Sequence, residues 1–285
     1  MKKIISILLI WATVLSFFGC SDSSIEEQIV SNGKRITDEI SFTQDNISIS
    51  KIGNDYVVTT NQAQRTYSIV QDDKSSDEFV WTNIQEITSS NILKIVISSK
   101  NLIIGYINES LVLKNKEALI SYINNLPVKV ADFPNNSLVA AFDENYDTIF
   151  VNIKSNLLDK HTLVHELFHA LSNKTRSNGI WNSYCTSKFD EAFTELLANS
   201  IIKSNYSTAY DKYIKYVYAF IGCTGLNGIS AYFYGLNEVQ IPKTEFHLYS
   251  IALECLDNCK TNKEIKSEEL TLYLVLSKWG LEKWA

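Results

Sequence analysis

The segment Leu163-Val164-His165-Glu166-Leu167-Phe168-His169-Ala170-Leu171 constrains this chain more than any other. Residues four apart on a helix share a face, so a helix here aims the imidazoles of His165 and His169 at one point in space. Two imidazoles at that bite suit a tetrahedral zinc ion. Glu166 follows the first histidine by one position, which turns its carboxylate into the space beside the metal, where it can take a proton from water. Leu163, Leu167, Ala170 and Leu171 supply an apolar stripe that buries the same helix. With four histidines in the chain, composition alone produces this pattern on the order of a few times in a thousand such chains.

A catalytic zinc needs a third protein ligand and keeps its fourth position for water. A second helix is predicted over 190–203, with Ser187 and Asp190 read as a capping box at its start. It carries Glu191 and Glu195 on one face. One of them can bind the metal, and the other can accept the remaining N–H of a ligand histidine. His161, one turn before His165, reads as a surface residue at a helix start. The stripe of Tyr210, Tyr213, Ile214, Val217 and Ile221 reads as core packing.

At this point the sequence resembles the gluzincins, the thermolysin-like branch of the zincin metallopeptidases, in which His-Glu-x-x-His is followed by a helix bearing Glu-x-x-x-Asp or a close variant. The resemblance covers residues 163–198. It implies zinc as cofactor, His165, His169 and Glu191 as its ligands, Glu166 as general base and Glu195 as the group behind a ligand histidine. Two positions depart from the pattern: Asp190 stands where the family often has Asn, and Glu195 replaces a shorter Asp. A metzincin is excluded, because that branch needs glycine and histidine where this chain has Ser172 and Thr175. The resemblance also implies an α+β, zincin-like fold, with a mixed or antiparallel sheet on the active-site helix and a mostly helical C-terminal half. Its substrate would be a peptide or protein, attacked by a water that zinc acidifies and Glu166 deprotonates. Members of the group steady the oxyanion with a Tyr or His from outside the two helices. His247, Tyr232 and Tyr234 are the candidates here. The strand over 146–152 is expected either at a sheet edge, where a substrate can add as a further strand, or in the interior.

Lys2 and Lys3 precede an apolar run from Ile4 to Phe18, too short for a membrane span of about 20 residues, and Gly19-Cys20 follows. The arrangement resembles a bacterial lipoprotein signal. It implies a signal peptide over 1–19, a lipid anchor on Cys20 and a place on a membrane of the bacterial cell envelope. An ordinary secretory signal or an anchor helix are the alternatives. Export would permit disulfides among Cys185, Cys223, Cys255 and Cys259; a thiolate zinc site and free buried thiols are the rival readings.

The rest of the chain divides by pattern. Residues 20–45 are polar and read as a flexible tether. Residues 46–112 read as β-rich, with strands over 47–50, 56–60, 67–71 and 93–98. The metallopeptidase-like unit spans 113–285, with a helix over 116–126, a hairpin of 138–142 with 148–151, and helices near 190–203, 210–221, 246–257 and 267–278. The 26 basic residues are outnumbered by 32 acidic ones and form no basic block, so nucleic acid is not an expected partner. The expectation is an exported, membrane-anchored zinc metallopeptidase of undetermined oligomeric state. Its rivals are a catalytically inactive zincin-fold surface lipoprotein acting as a binding or scaffolding module, and a hydrolase of non-peptide amides. Glu166 favours an enzyme, since a binding module has no need of a carboxylate beside the metal.

Overall fold

The computed structural model describes residues 23–39, 48–59, 64–68, 80–134, 137–155, 157–176, 184–203, 210–239 and 241–282, and these form two short sheets and a set of helices. Residues 1–19, read as a signal peptide, and Cys20 lie outside the described residues. The elements run α1 (Ile25–Glu39), β1 (Ser48–Ile52), β2 (Asp55–Thr59), β3 (Gln64–Ser68), β4 (Thr82–Glu86), α2 (Ser90–Glu109), α3 (Lys116–Asn125), β5 (Val128–Asp132), β6 (Ala140–Asp143) and β7 (Thr148–Asn152), then α4 (Lys160–Thr175), α5 (Ser187–Ile202), α6 (Asp211–Thr224), α7 (Leu226–Tyr234), α8 (Lys243–Cys255) and α9 (Asn262–Glu282). The class is α+β.

Strands β1, β2 and β3 form an antiparallel meander, with Gly53 at φ 63° in the tight turn that pairs Ile52 with Asp55. The second sheet has the order β4-β5-β7-β6, and only the β5–β7 pair is parallel. Every residue of β7 is buried, and the strand lies between β5 and β6. The strand expected at 146–152 is therefore interior, and the free edge beside the metal-motif helix belongs to β6. Helix α4 packs on β6 and β7 and is flanked by α2, α3, α5 and α7.

One apolar cluster reaches from Ile29 in α1 through Tyr56, Ile103, Phe168, Phe193 and Phe220 to Val275 in α9. The described residues of 46–112 therefore share their core with the rest. The meander is sealed against the C-terminal helices by polar contacts as well. The Tyr67 hydroxyl donates to Glu268 Oε2 at 3.1 Å, and Arg65 pairs with the same carboxylate.

Three local expectations are corrected. The run 93–98, read as a strand from its β-branched residues, lies inside α2. The buried residues Val96, Ser99, Ile103, Tyr106 and Ile107 follow helical spacing, and Ser89 caps the start. Residues 25–39, read as tether, are helical because Ile29 and Glu26 have burial sites. Glu26 accepts hydrogen bonds from the Tyr106 hydroxyl at 2.8 Å and the Leu111 N–H at 2.6 Å, at the C-terminal end of α2. The capping box on Ser187 does not form. Ser187 is already helical, Thr186 is the N-cap, and the Thr186 N–H donates to Ser250 Oγ at 2.6 Å.

The expected strand β2, helix α3 and the β6–β7 hairpin are present, whereas β5 and α7 were not anticipated. No disulfide joins Cys185, Cys223, Cys255 and Cys259. No helix among the described residues is long and apolar enough to cross a membrane.

Candidate metal centre

Helix α4 begins at Asp159, whose Oδ1 accepts the Thr162 N–H at 2.8 Å, and it projects His161, His165 and His169 from one face at one-turn intervals. Helix α5 presents Glu191, Glu195 and Asn199 at the same interval. The helices run antiparallel here, so His169 meets Glu191, His165 lies between Glu191 and Glu195, and His161 meets Glu195 and Asn199.

His165 Nε2 lies 3.1 Å from His169 Nε2 and 3.1 Å from Glu191 Oε2, and His169 Nε2 lies 3.5 Å from Glu191 Oε1. Bonds of about 2.0 Å at tetrahedral angles separate neighbouring ligand atoms by about 3.3 Å, so this spacing fits the edges of a zinc tetrahedron. The donor set also fits: two imidazoles and one carboxylate are hard-to-borderline ligands, and no cysteine joins them among the described residues. On the far side of the ring, His165 Nδ1 lies 3.0 Å from Glu195 Oε2. A carboxylate only accepts, so Nδ1 donates, which leaves Nε2 as the ring nitrogen that faces the centre of the cluster.

His169 is held by a different set. Its Nδ1 lies 3.7 Å from Asp190 Oδ2 and 3.5 Å from Thr194 Oγ1. Asp190, expected as a cap, is locked by Arg176, whose guanidinium donates to Asp190 Oδ1 at 2.8 Å and to the Tyr232 carbonyl at 2.7 Å. Glu166 points beside the cluster. Its Oε2 accepts the Phe142 N–H of the edge strand β6 at 2.8 Å.

The charges follow from these contacts. Burial works against ionisation of Glu191, but His169 and His165 outweigh it and hold the carboxyl well below the usual range. Burial likewise opposes Glu195, and His161 and His165 win, bringing it to about 2. Glu166 goes the other way, because burial outweighs the attraction of His165 and His169 and raises it. Burial would lower His165, yet its bonds to Glu191 and Glu195 lift it to about 10. The acidic groups thus demand positive charge at the point where the imidazoles meet.

The three proposed oxyanion donors lie elsewhere. The Tyr232 hydroxyl is fully buried and pairs with Thr194 Oγ1 at 2.7 Å, behind His169, and its ring stacks on Phe193. His247 Nδ1 lies 3.3 Å from the Tyr56 hydroxyl, and its ring packs edge-on against Tyr184. Tyr234, the third candidate, accepts the Lys114 N–H at 2.6 Å. The aromatic hydroxyl at the cluster belongs to Tyr210, at the N-cap of α6. Its ring lies parallel to His165 with centroids 6.1 Å apart, and its hydroxyl bonds to Glu191. Burial and then Glu191 raise its pKa, so the phenol keeps its proton at neutral pH.

Tyr210 heads a helical stripe, which hid its place beside His165 and Glu191. His161 was misjudged too: it is 6 % exposed and bonded to Glu195 and Asn199. Its one-turn spacing before His165 was the available signal. Comparison of the chain with family models, curated proteins and solved structures finds no match.

Proposed function

We propose that this chain is a zinc-dependent metallopeptidase with a zincin-like catalytic unit, acting on peptide or protein substrates. The observation that carries the reading is the convergence of His165 Nε2, His169 Nε2 and the Glu191 carboxylate at tetrahedral spacing, with the Glu166 carboxylate beside them on the same helix. Zinc, when bound, would supply a Lewis acid for the carbonyl and an acidified water.

Glu166 is the general base. The Phe142 N–H fixes one carboxylate oxygen and leaves the other to accept a proton from water and return it to the departing amine. Its raised pKa brings the carboxyl closer to the range in which it can both take and release that proton. Tyr210 holds a proton close to the cluster and can donate a hydrogen bond to the developing oxyanion. Edge strand β6, whose Phe142 N–H is bonded to Glu166, has one side open to the addition of an extended peptide.

The test uses the chain without residues 1–20. Bound zinc is measured, and cleavage of a peptide library is compared with that of Glu166→Ala. About one zinc per chain, with cleavage lost in the variant, is the expected result. Equal cleavage by both proteins contradicts the mechanism, and zinc without cleavage by either supports the binding module. From residues 1–20 alone we also propose export and lipid attachment at Cys20. An intact mass from cells that includes residues before Cys20, or that lacks an acyl chain, contradicts this.

A further inference from the structure

We propose that His161 and Asn199 are positioning residues that set the affinity of the metal site through Glu195; the inference rests on the reading of His165 as a zinc ligand. Glu195 does not stand behind His165 unsupported. Its Oε1 lies 3.0 Å from His161 Nε2 and accepts the Asn199 Nδ2–H at 3.0 Å, while Asn199 Oδ1 lies 3.1 Å from the same His161 nitrogen. An amide oxygen and a carboxylate are both acceptors, so His161 Nε2 carries the hydrogen and shares it between them. Two donors therefore occupy Oε1. Oε2 is left to the His165 Nδ1–H at 3.0 Å.

This arrangement fixes the rotation of a carboxylate that is 2 % exposed, beside a histidine that is 6 % exposed. A carboxylate held in this way keeps one hydrogen of His165 on Nδ1, so that Nε2 is the nitrogen that gives up its proton to an arriving cation. The triad His161–Glu195–His165 is thus one column. Its outer member is bonded to Glu195, which gives it a polar path to the cluster.

Loss of the direct partner of a ligand histidine typically weakens metal binding by about 10- to 100-fold. Removal of the group one step further out should cost about 3- to 30-fold through the same carboxylate. The full chain is measured by zinc competition with a chromophoric chelator, alongside thermal unfolding. His161→Phe is expected to weaken zinc binding about tenfold, and His161→Gln, whose amide can still donate to Glu195, to restore most of it. In a Glu195→Gln background, His161→Phe is expected to change the zinc Kd by no more than about twofold, since the path is already cut. If His161→Phe does not fold, Asn199→Ser replaces it in the same cycle.

An unchanged zinc Kd in His161→Phe with only a lowered Tm, or the same loss in both backgrounds, overturns the proposal and leaves the zinc reading intact. A wild-type chain that takes up no zinc overturns both.

Discussion

Burial lifts the Glu166 carboxyl above its usual range while His161 and His165 hold Glu195 near 2, so two glutamates on facing helices are pushed in opposite directions. Glu166→Gln should therefore keep zinc within a few-fold of wild type and lose about 100- to 10,000-fold in kcat, as read by metal analysis and peptide kinetics. Tyr210→Phe removes a donor but no ligand. It should lower kcat by about 10- to 1,000-fold with little change in zinc content or KM.

The pH dependence of binding has a definite sign. His165 sits at about 10, above its ordinary 6.5, so zinc must displace a proton from it throughout the neutral range. Zinc affinity should rise about tenfold per pH unit from this residue alone, or about 100-fold between pH 5.5 and 7.5, in buffered competition titrations. Without zinc the signs are separate. The stability contributed by His165 is full below 6.5 and lost as pH rises through about 10, whereas that from Glu195 is present above 4.5 and lost as pH falls through about 2. At this scale the cluster itself was legible, because His165, His169, Glu191 and Glu195 carry their geometry in helical spacing. Tyr210 was not, since its place beside His165 is made by tertiary packing.

Elements were legible where one periodicity dominated. Helix α3 and the β6–β7 hairpin fall close to their sequence expectations. Helix α2 did not, because Ile95, Val96, Ile97 and Ser98 are β-branched or small residues that suit a strand by local preference, and burial at helical spacing overrides that preference. Helix α1 was hidden by its polarity, yet it lies along α6 with Gly33 against Gly222. A Cβ at Gly222 would stand 2.3 Å from the Gly33 carbonyl oxygen, a backbone atom that cannot swing away. Gly222→Ala should force the helices apart and destabilise the chain by about 1–3 kcal/mol, seen as a lower midpoint in denaturant unfolding. An unchanged midpoint would mean that α1 does not dock as described.

Across the whole molecule, the cluster ties α4, which lies on the sheet, to α5, which packs into the C-terminal helices. Zinc that binds only the folded chain stabilises it by mass action, about 2.7 kcal/mol at 100 times Kd. Chelation should lower Tm, and zinc should restore it. The general α+β class was legible, and buried residues on both sides of residue 112 lie in one apolar cluster. The meander buries Tyr56 and Tyr67 in the same apolar cluster as the helices, and no local pattern records such a distant contact.

The most direct test is zinc-edge X-ray absorption on the zinc-loaded chain. The expected spectrum shows imidazole nitrogens and carboxylate or water oxygen at about 2.0–2.1 Å with no sulfur. Scattering from sulfur at about 2.3 Å would place the metal on the cysteines and contradict the His165, His169 and Glu191 centre.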